Sequence, residues 1–159
     1  MPCFWCKWPA SGEDEAAVFK KILVALDHSK ADKVLLPHAL ELARLTGAEL
    51  LLLHVSTGWA AQWQKDLNLS DSPEIMEDRE YLQKVEREVR SLGFTVAARH
   101  GAGKPAEEIL KAARAEHCDL IAMATHGHRL LSDLIYGTTI TEVRHEADIP
   151  IFLVKASPD

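Results

Sequence analysis

Continuous apolar runs of strand length recur along this chain, each followed by residues at helical spacing, and that alternation narrows the folds open to it. Lys20-Lys21-Ile22-Leu23-Val24-Ala25-Leu26-Asp27 is apolar throughout its middle and ends in a carboxylate, as a strand buried on both faces does. Ser29 or Asp32 can cap a helix running to Thr46, with Leu36, Leu40 and Ala43 at helical spacing, Pro37 expected to kink it and Gly47 to stop it. Glu49 to Val55 is a second apolar strand, and Ser56 to Asp71, with Trp59 and Trp63, reads as a long surface connection. Ser72-Pro73-Glu74 offers an N-cap, a proline at the first helical position and an early acid, and Ile75, Leu82, Val85, Val89 and Leu92 follow on one face up to Gly93. Phe94 to Arg99 is a third strand, and Gly101 to Pro105 turns the chain into a helix carrying Ile109, Leu110 and Ala113. Asp119 to Ala124 is a fourth strand, Thr125 to Tyr136 a loop, Gly137-Thr138 a helix entrance, and Ile149 to Val154 the closing strand.

Strands that alternate with helices need crossover connections, which are right-handed in nearly all cases. The expectation is therefore an α/β fold: an open five-stranded parallel sheet with helices on both faces. One domain is expected over residues 20–155, between a flexible extension at 1–19 and a tail at 156–159. In such open sheets ligands sit outside the carboxyl ends of the strands, where the strand order reverses.

Composition removes several classes of function. Of 159 residues 18 are Lys or Arg and 24 Asp or Glu, a net charge of −6 with no cluster of four or more basic residues, which argues against a nucleic-acid partner. No apolar run approaches the roughly 18 residues that span a bilayer, so a membrane protein is not expected. Residues 1–19 lack the basic start and apolar stretch of a signal peptide, so a cytoplasmic location is expected, with Cys3, Cys6 and Cys118 reduced. Cys3-x-x-Cys6 has no second pair with which to complete a zinc site.

Met123-Ala124-Thr125-His126-Gly127 is followed by nine residues and then Gly137-Thr138-Thr139. Gly127 can take positive φ and let backbone N–H groups approach an anion, while Gly137 and Thr138 would place N–H groups and a hydroxyl at the positive end of a helix dipole. The plainer alternative is that Gly127 only turns the chain and Gly137-Thr138 only caps a helix. Gly101-x-Gly103-Lys104 is not a P-loop, since Ala98 stands where its first glycine belongs and Pro105 follows the lysine.

With its spacing of Gly-x-x-Gly, nine residues, Gly and Ser or Thr, this stretch resembles the nucleotide-binding loop of the universal stress protein family, with Ala124 in place of the first glycine. Ile22 to Asp27 with Ser29, His54-Val55, Gly103-x-Pro105-Ala-Glu-Glu-Ile109, and Val143 to Val154 with Ile149-Pro150 resemble the family too, and the match runs from Lys20 to Lys155. The resemblance implies a Rossmann-like fold of the adenine nucleotide alpha hydrolase-like kind and ATP as ligand, with Mg²⁺ accompanying it. It implies that Ala25, Asp27, Val55 and Met123 line a base and ribose pocket, and that Ala124, Gly127, His128, Arg129, Gly137, Thr138 and Thr139 border the phosphates. Asp27 is the charged member, able to accept from a ribose or to hold Mg²⁺ through water, or else to cap the helix beside His28 and Ser29. Met123 and Val55 read equally well as core residues that reach the cleft. If residue 124 needs positive φ, its Cβ costs on the order of 1 kcal/mol; in an ordinary strand-end conformation it only narrows the space.

Function then follows in two classes. One is an ATP-binding stress-response regulator that changes contacts with a protein partner; the other is a slow ATPase or adenylyl-transferring enzyme of the same fold. Phosphoryl transfer needs charge-neutralising groups and a positioned water, and with only Arg129, Asp27 and two histidines near the loop, and no Walker lysine, hydrolysis is expected to be slow or absent. A third reading is a dimeric interaction protein that does not bind nucleotide. A homodimer is expected through Ile149 to Val154, the edge strand of such a sheet.

Overall fold

The computed structural model describes residues 18–57, 72–126 and 133–156, with the backbone alone described at 126 and 133–137. The elements follow one another as β1 (Lys21–Leu26), α1 (Asp32–Thr46), β2 (Glu49–Ser56), α2 (Pro73–Ser91), β3 (Val96–Ala102), α3 (Pro105–Ala115), β4 (Leu120–His126), α4 (Asp133–Glu146) and β5 (Ile151–Ala156). The strands form one parallel sheet in the order β3-β2-β1-β4-β5. The chain builds outward from β1 to β3, returns to place β4 on the other side of β1, and ends with β5 at the edge. The α/β architecture expected from the alternation is the one observed.

Alternation along the strands divides the apolar residues between two cores. Ile22, Val24, Leu50 and Leu52 face Leu35, Ala39, Leu82 and Val85 of α1 and α2. On the other face Leu23, Leu51, Leu53, Ile121 and Met123 meet Ile109 and Leu110 of α3 and Val143 of α4. Ile22, Leu23, Leu52 and Ile121 are fully excluded from solvent, and each such side chain contributes about 1.5–3 kcal/mol by leaving water.

Local chemistry sets the boundaries. Gly47 ends α1 at φ +70, a conformation that costs other residues about 1 kcal/mol. Ser72 caps α2, its Oγ accepting from the Ile75 N–H at 3.4 Å, with Pro73 at the first position. Several boundaries differ from the sequence expectation. β3 begins at Val96 and runs to Ala102, so Gly101 is a strand residue paired with Val55 and not part of the turn. β5 begins at Ile151, because Pro150 has no N–H to give the ladder, although its carbonyl still accepts from the Ile121 N–H. α4 opens at Asp133, so Gly137 is its fifth residue and not its entrance; residues 133 to 136 contain no Gly or Pro to delay a helix. Asp32 does not cap α1: the N-cap position is Ala31, which makes no side-chain cap, and the Asp32 carboxylate turns inward.

Among the described residues, no helix is long and apolar enough to cross a membrane. The Cys3-x-x-Cys6 extension and the connection holding Trp59 and Trp63 lie outside the described residues.

Candidate functional site

β1 and β4 are neighbours, yet their pairing covers only Ile22 with Leu120, Leu23 with Ile121 and Val24 with Ala122. Each strand keeps its outer partner for longer: β1 stays with β2 to Leu26 and His54, and β4 with β5 to His126 and Ala156. The sheet therefore parts at its carboxyl end, at the point where strand order reverses, which is where open α/β sheets place ligands. A cleft opens there with about 520 Å³ of empty space, part of it open to solvent. Its walls are Ala25, Leu26 and Asp27 from β1 and its end, Leu53 and Val55 from β2, Met123 and Ala124 from β4, Pro105 and Ile109 from α3, and Thr139 and Ile140 from α4.

Ala25, Asp27, Val55, Met123, Ala124 and Thr139, brought forward by motif resemblance, thus meet at one place. Thr139 is buried at 5 % exposure while Thr138, beside it, is exposed. Gly127, His128 and Arg129 lie outside the described residues. Ala124 sits within β4, and the positive-φ non-glycine residues among those described are His28 and His117, so alanine is accommodated there without backbone strain. Its methyl packs with the α1 and α2 core while Met123 packs with the opposite one, so the Cβ at 124 points away from the α3 and α4 side of the cleft.

Leu26, Leu53, Pro105, Ile109 and Ile140 complete the walls and were not assigned to the site from sequence. Pro105 and Ile109 belong to a stretch already noted for its resemblance, so a signal was present for them. Gly103 precedes them at φ +133 and donates its N–H to the Ser56 carbonyl at 3.2 Å, which fixes the entry of α3.

Asp27 stands at the mouth of the cleft in a tight turn. Its Oδ1 accepts from the Ser29 N–H at 3.0 Å, and the Ser29 Oγ accepts from the Ala31 N–H at 3.0 Å. The carboxylate thus stabilises the start of α1 and lines the cleft as well. His28 takes φ +59. The N–H groups of Asp27 and His28 both donate to the Asp32 carboxylate, at 3.1 and 2.9 Å, and the Tyr81 hydroxyl donates to it at 2.6 Å. Burial pushes Asp32 up to about 6, with the Tyr81 hydrogen bond opposing and the charge of Asp27 adding to it. The Tyr81 hydroxyl is raised by burial and by its bond to Asp32.

Behind this turn lies a second polar group that local spacing does not reveal. His54, in β2 and 5 % exposed, donates Nδ1–H to the Leu26 carbonyl at 3.0 Å and places Nε2 3.2 Å from Asp78 Oδ2. The Ser56 Oγ donates to that same oxygen at 2.6 Å and lies 2.8 Å from His100 Nε2. His28 Nδ1 is 3.0 Å from Asp78 Oδ1. Burial alone would raise Asp78, but the hydrogen bonds of Ser56 and His28 and the His54 ring outweigh it and hold the carboxyl below its usual range. Among the described residues, no three His, Cys, Asp or Glu side chains are placed to hold a metal ion.

Residues 19–155 match the model of the universal stress protein family. A universal stress protein of Thermus aquaticus is 34% identical over 144 residues, covering 87% of this chain and all of that relative (100%). Universal stress protein MJ0577 of Methanocaldococcus jannaschii is 27% identical over 158 residues, and its solved structure superposes with a TM-score of 0.71, covering 88% of this chain and 98% of its own. A universal stress protein from Archaeoglobus fulgidus, solved in complex with dAMP, shares the fold at a TM-score of 0.64 and 20% identity, covering 87% of this chain and 99% of its own.

Proposed function

Because the chain belongs to the universal stress protein family, we propose that it binds an adenine nucleotide, ATP, in the cleft between the parted ends of β1 and β4. The observation that carries this reading is the convergence of Ala25, Asp27, Val55, Met123 and Thr139 on one cleft. Its apolar walls with one carboxylate suit a ligand that is flat and apolar at one end and rich in hydroxyl donors at the other. Val55, Met123 and Ile109 offer surface for a base, and Asp27 an acceptor for ribose hydroxyls. The β1–β4 ladder ends at Val24 and Ala122, so beyond them the two strands leave the space between them open. The dAMP complex of the Archaeoglobus relative supports an adenine nucleotide.

The phosphates extend toward Gly127, His128 and Arg129 and the early turns of α4, where Thr138 and Thr139 lie. Mg²⁺ would arrive with them and reach Asp27 through water, since a lone carboxylate does not make a cation site by itself. With no lysine of the Walker kind in this set, ATP turnover is slow or absent, and the protein acts as a nucleotide-dependent regulator that engages a protein partner in the cytoplasm. β5 at the sheet edge, with Leu153 exposed, pairs two copies of the chain.

The test is displacement of a fluorescent ATP analogue from purified protein, with chromatography of any nucleotide released on denaturation. ATP should displace the analogue, and Asp27→Asn should weaken ATP about tenfold, the worth of a charge-assisted hydrogen bond. Equal affinity in that variant would remove Asp27 from the site.

A further inference from the structure

No residue of α2 lines the cleft, yet the turn that carries Asp27 is held from α2. We infer that Tyr81 and Asp78 are positioning residues for Asp27, and that ligand occupancy and the docking of α2 on the sheet therefore reinforce each other. This rests on the nucleotide reading above.

The turn's own bonds, from the Ser29 N–H to Asp27 and from the Ala31 N–H to the Ser29 hydroxyl, are only part of what holds it. His28 takes a left-handed backbone at φ +59, a conformation that is unfavourable for a residue with a Cβ. The conformation is held by Asp32, whose two oxygens take the Asp27 and His28 N–H groups. Asp32 is in turn oriented by the Tyr81 hydroxyl at 2.6 Å. The Tyr81 ring stacks on His28 with centroids 4.1 Å apart and planes 15° from parallel. Asp78, three residues earlier and so on the same face of the helix, reaches the other side of His28 through Nδ1. Its second oxygen takes Ser56 and His54, and His54 is anchored to the carbonyl of Leu26, the residue before Asp27.

Part of this set is out of water, with Asp32 2 %, His54 5 % and Ser56 6 % exposed, while Asp78 and Tyr81 are half-buried and His28 is exposed. Buried polar partners cannot be exchanged for solvent without loss, so displacing α2 releases the turn instead of leaving it standing alone. The coupling is reciprocal by linkage: a ligand that requires Asp27 in place stabilises the docked helix by the factor that the docked helix adds to its affinity.

Two measurements on the full chain test this. The first needs no ligand. Amide hydrogen exchange at Asp27 and His28 is compared in the parent, in Tyr81→Phe, which keeps the ring and loses the hydroxyl, and in Lys84→Ala, an exposed α2 control. The expected result is exchange faster by about two- to tenfold in Tyr81→Phe, the span of one hydrogen bond, and unchanged in the control. The second is the affinity ratio of ATP to 2′,3′-dideoxy-ATP. The parent should prefer ATP, Asp27→Asn and Tyr81→Phe should each reduce that preference, and the double variant should lose no more than Asp27→Asn alone. If the parent prefers ATP while Tyr81→Phe changes neither the ratio nor the exchange, the inference is overturned and nucleotide binding stands. If the parent binds neither nucleotide, the functional reading falls, and the exchange measurement still decides whether α2 holds the turn.

Discussion

Val24 and Ala122 are the last residues that pair β1 with β4, and the cleft opens directly beyond them. Ala25 follows Val24 with its side chain on the α3 and α4 side of the sheet. Replacing it by leucine would place three further carbons in the cleft. Ala25→Leu is expected to bind ATP at least tenfold more weakly than the parent while unfolding within about 1 kcal/mol of it, because the added atoms occupy open space and not a packed core. Isothermal titration and urea denaturation of the same sample check both halves.

Gly103 carries φ +133, and among the described residues an added Cβ would meet nothing nearer than Glu108 Cγ at 4.0 Å. The penalty for Gly103→Ala is then one of backbone conformation and not of space, about 1–3 kcal/mol. Since Gly103 leads into Pro105, which lines the cleft, affinity should fall with stability. A variant as stable as the parent by chemical denaturation would show that the φ is dispensable.

Asp32 gives a pH dependence whose sign is fixed by its shift up to about 6. At pH values between its unfolded and folded values the folded chain keeps a proton that the unfolded chain has released. The stability from this group is therefore complete below the ordinary carboxylate value and is lost as pH rises through about 6. Asp78 is shifted the other way, so its contribution is present above the ordinary value and lost in acid. Between pH 5 and 7 the Asp32 change is roughly 1 kcal/mol. Urea denaturation should show the parent losing that amount relative to Asp32→Asn across the interval, and a constant difference between the two would contradict it.

The proposed β5 pairing turns on the side chain that β5 exposes. Phe152 packs against the α1 core, whereas Leu153 is 40 % exposed. Leu153→Lys should shift a dimeric parent toward monomer in sedimentation at micromolar concentration, with the fold kept. An unchanged sedimentation coefficient would move the interface elsewhere.

These residues also show how far sequence reaches. The order of elements was legible because each strand is a continuous apolar run and each helix keeps its period. The lining of the cleft was legible only through the family resemblance, which brought forward Ala25, Val55 and Met123; Ala25 and Val55 sit near the ends of β1 and β2, while β4 continues past Met123 to His126. Boundaries were less so: Gly101 looked like a turn but pairs with Val55, and Gly137 looked like a helix entrance although the helix starts at Asp133. The network behind the cleft was not legible. His28 meets Asp78 and Asp32 meets Tyr81 across about fifty positions of chain, and no local periodicity records a contact made only by docking α2 on the sheet.

Isothermal titration of ATP into full-length protein, first stripped of any nucleotide that co-purifies, tests nucleotide binding most directly. The expected result is saturable binding of one ATP per chain, weakened at least tenfold in Ala25→Leu and about tenfold in Asp27→Asn. A folded parent that gives no binding heat at millimolar ATP, and no shift in its unfolding temperature, would contradict it.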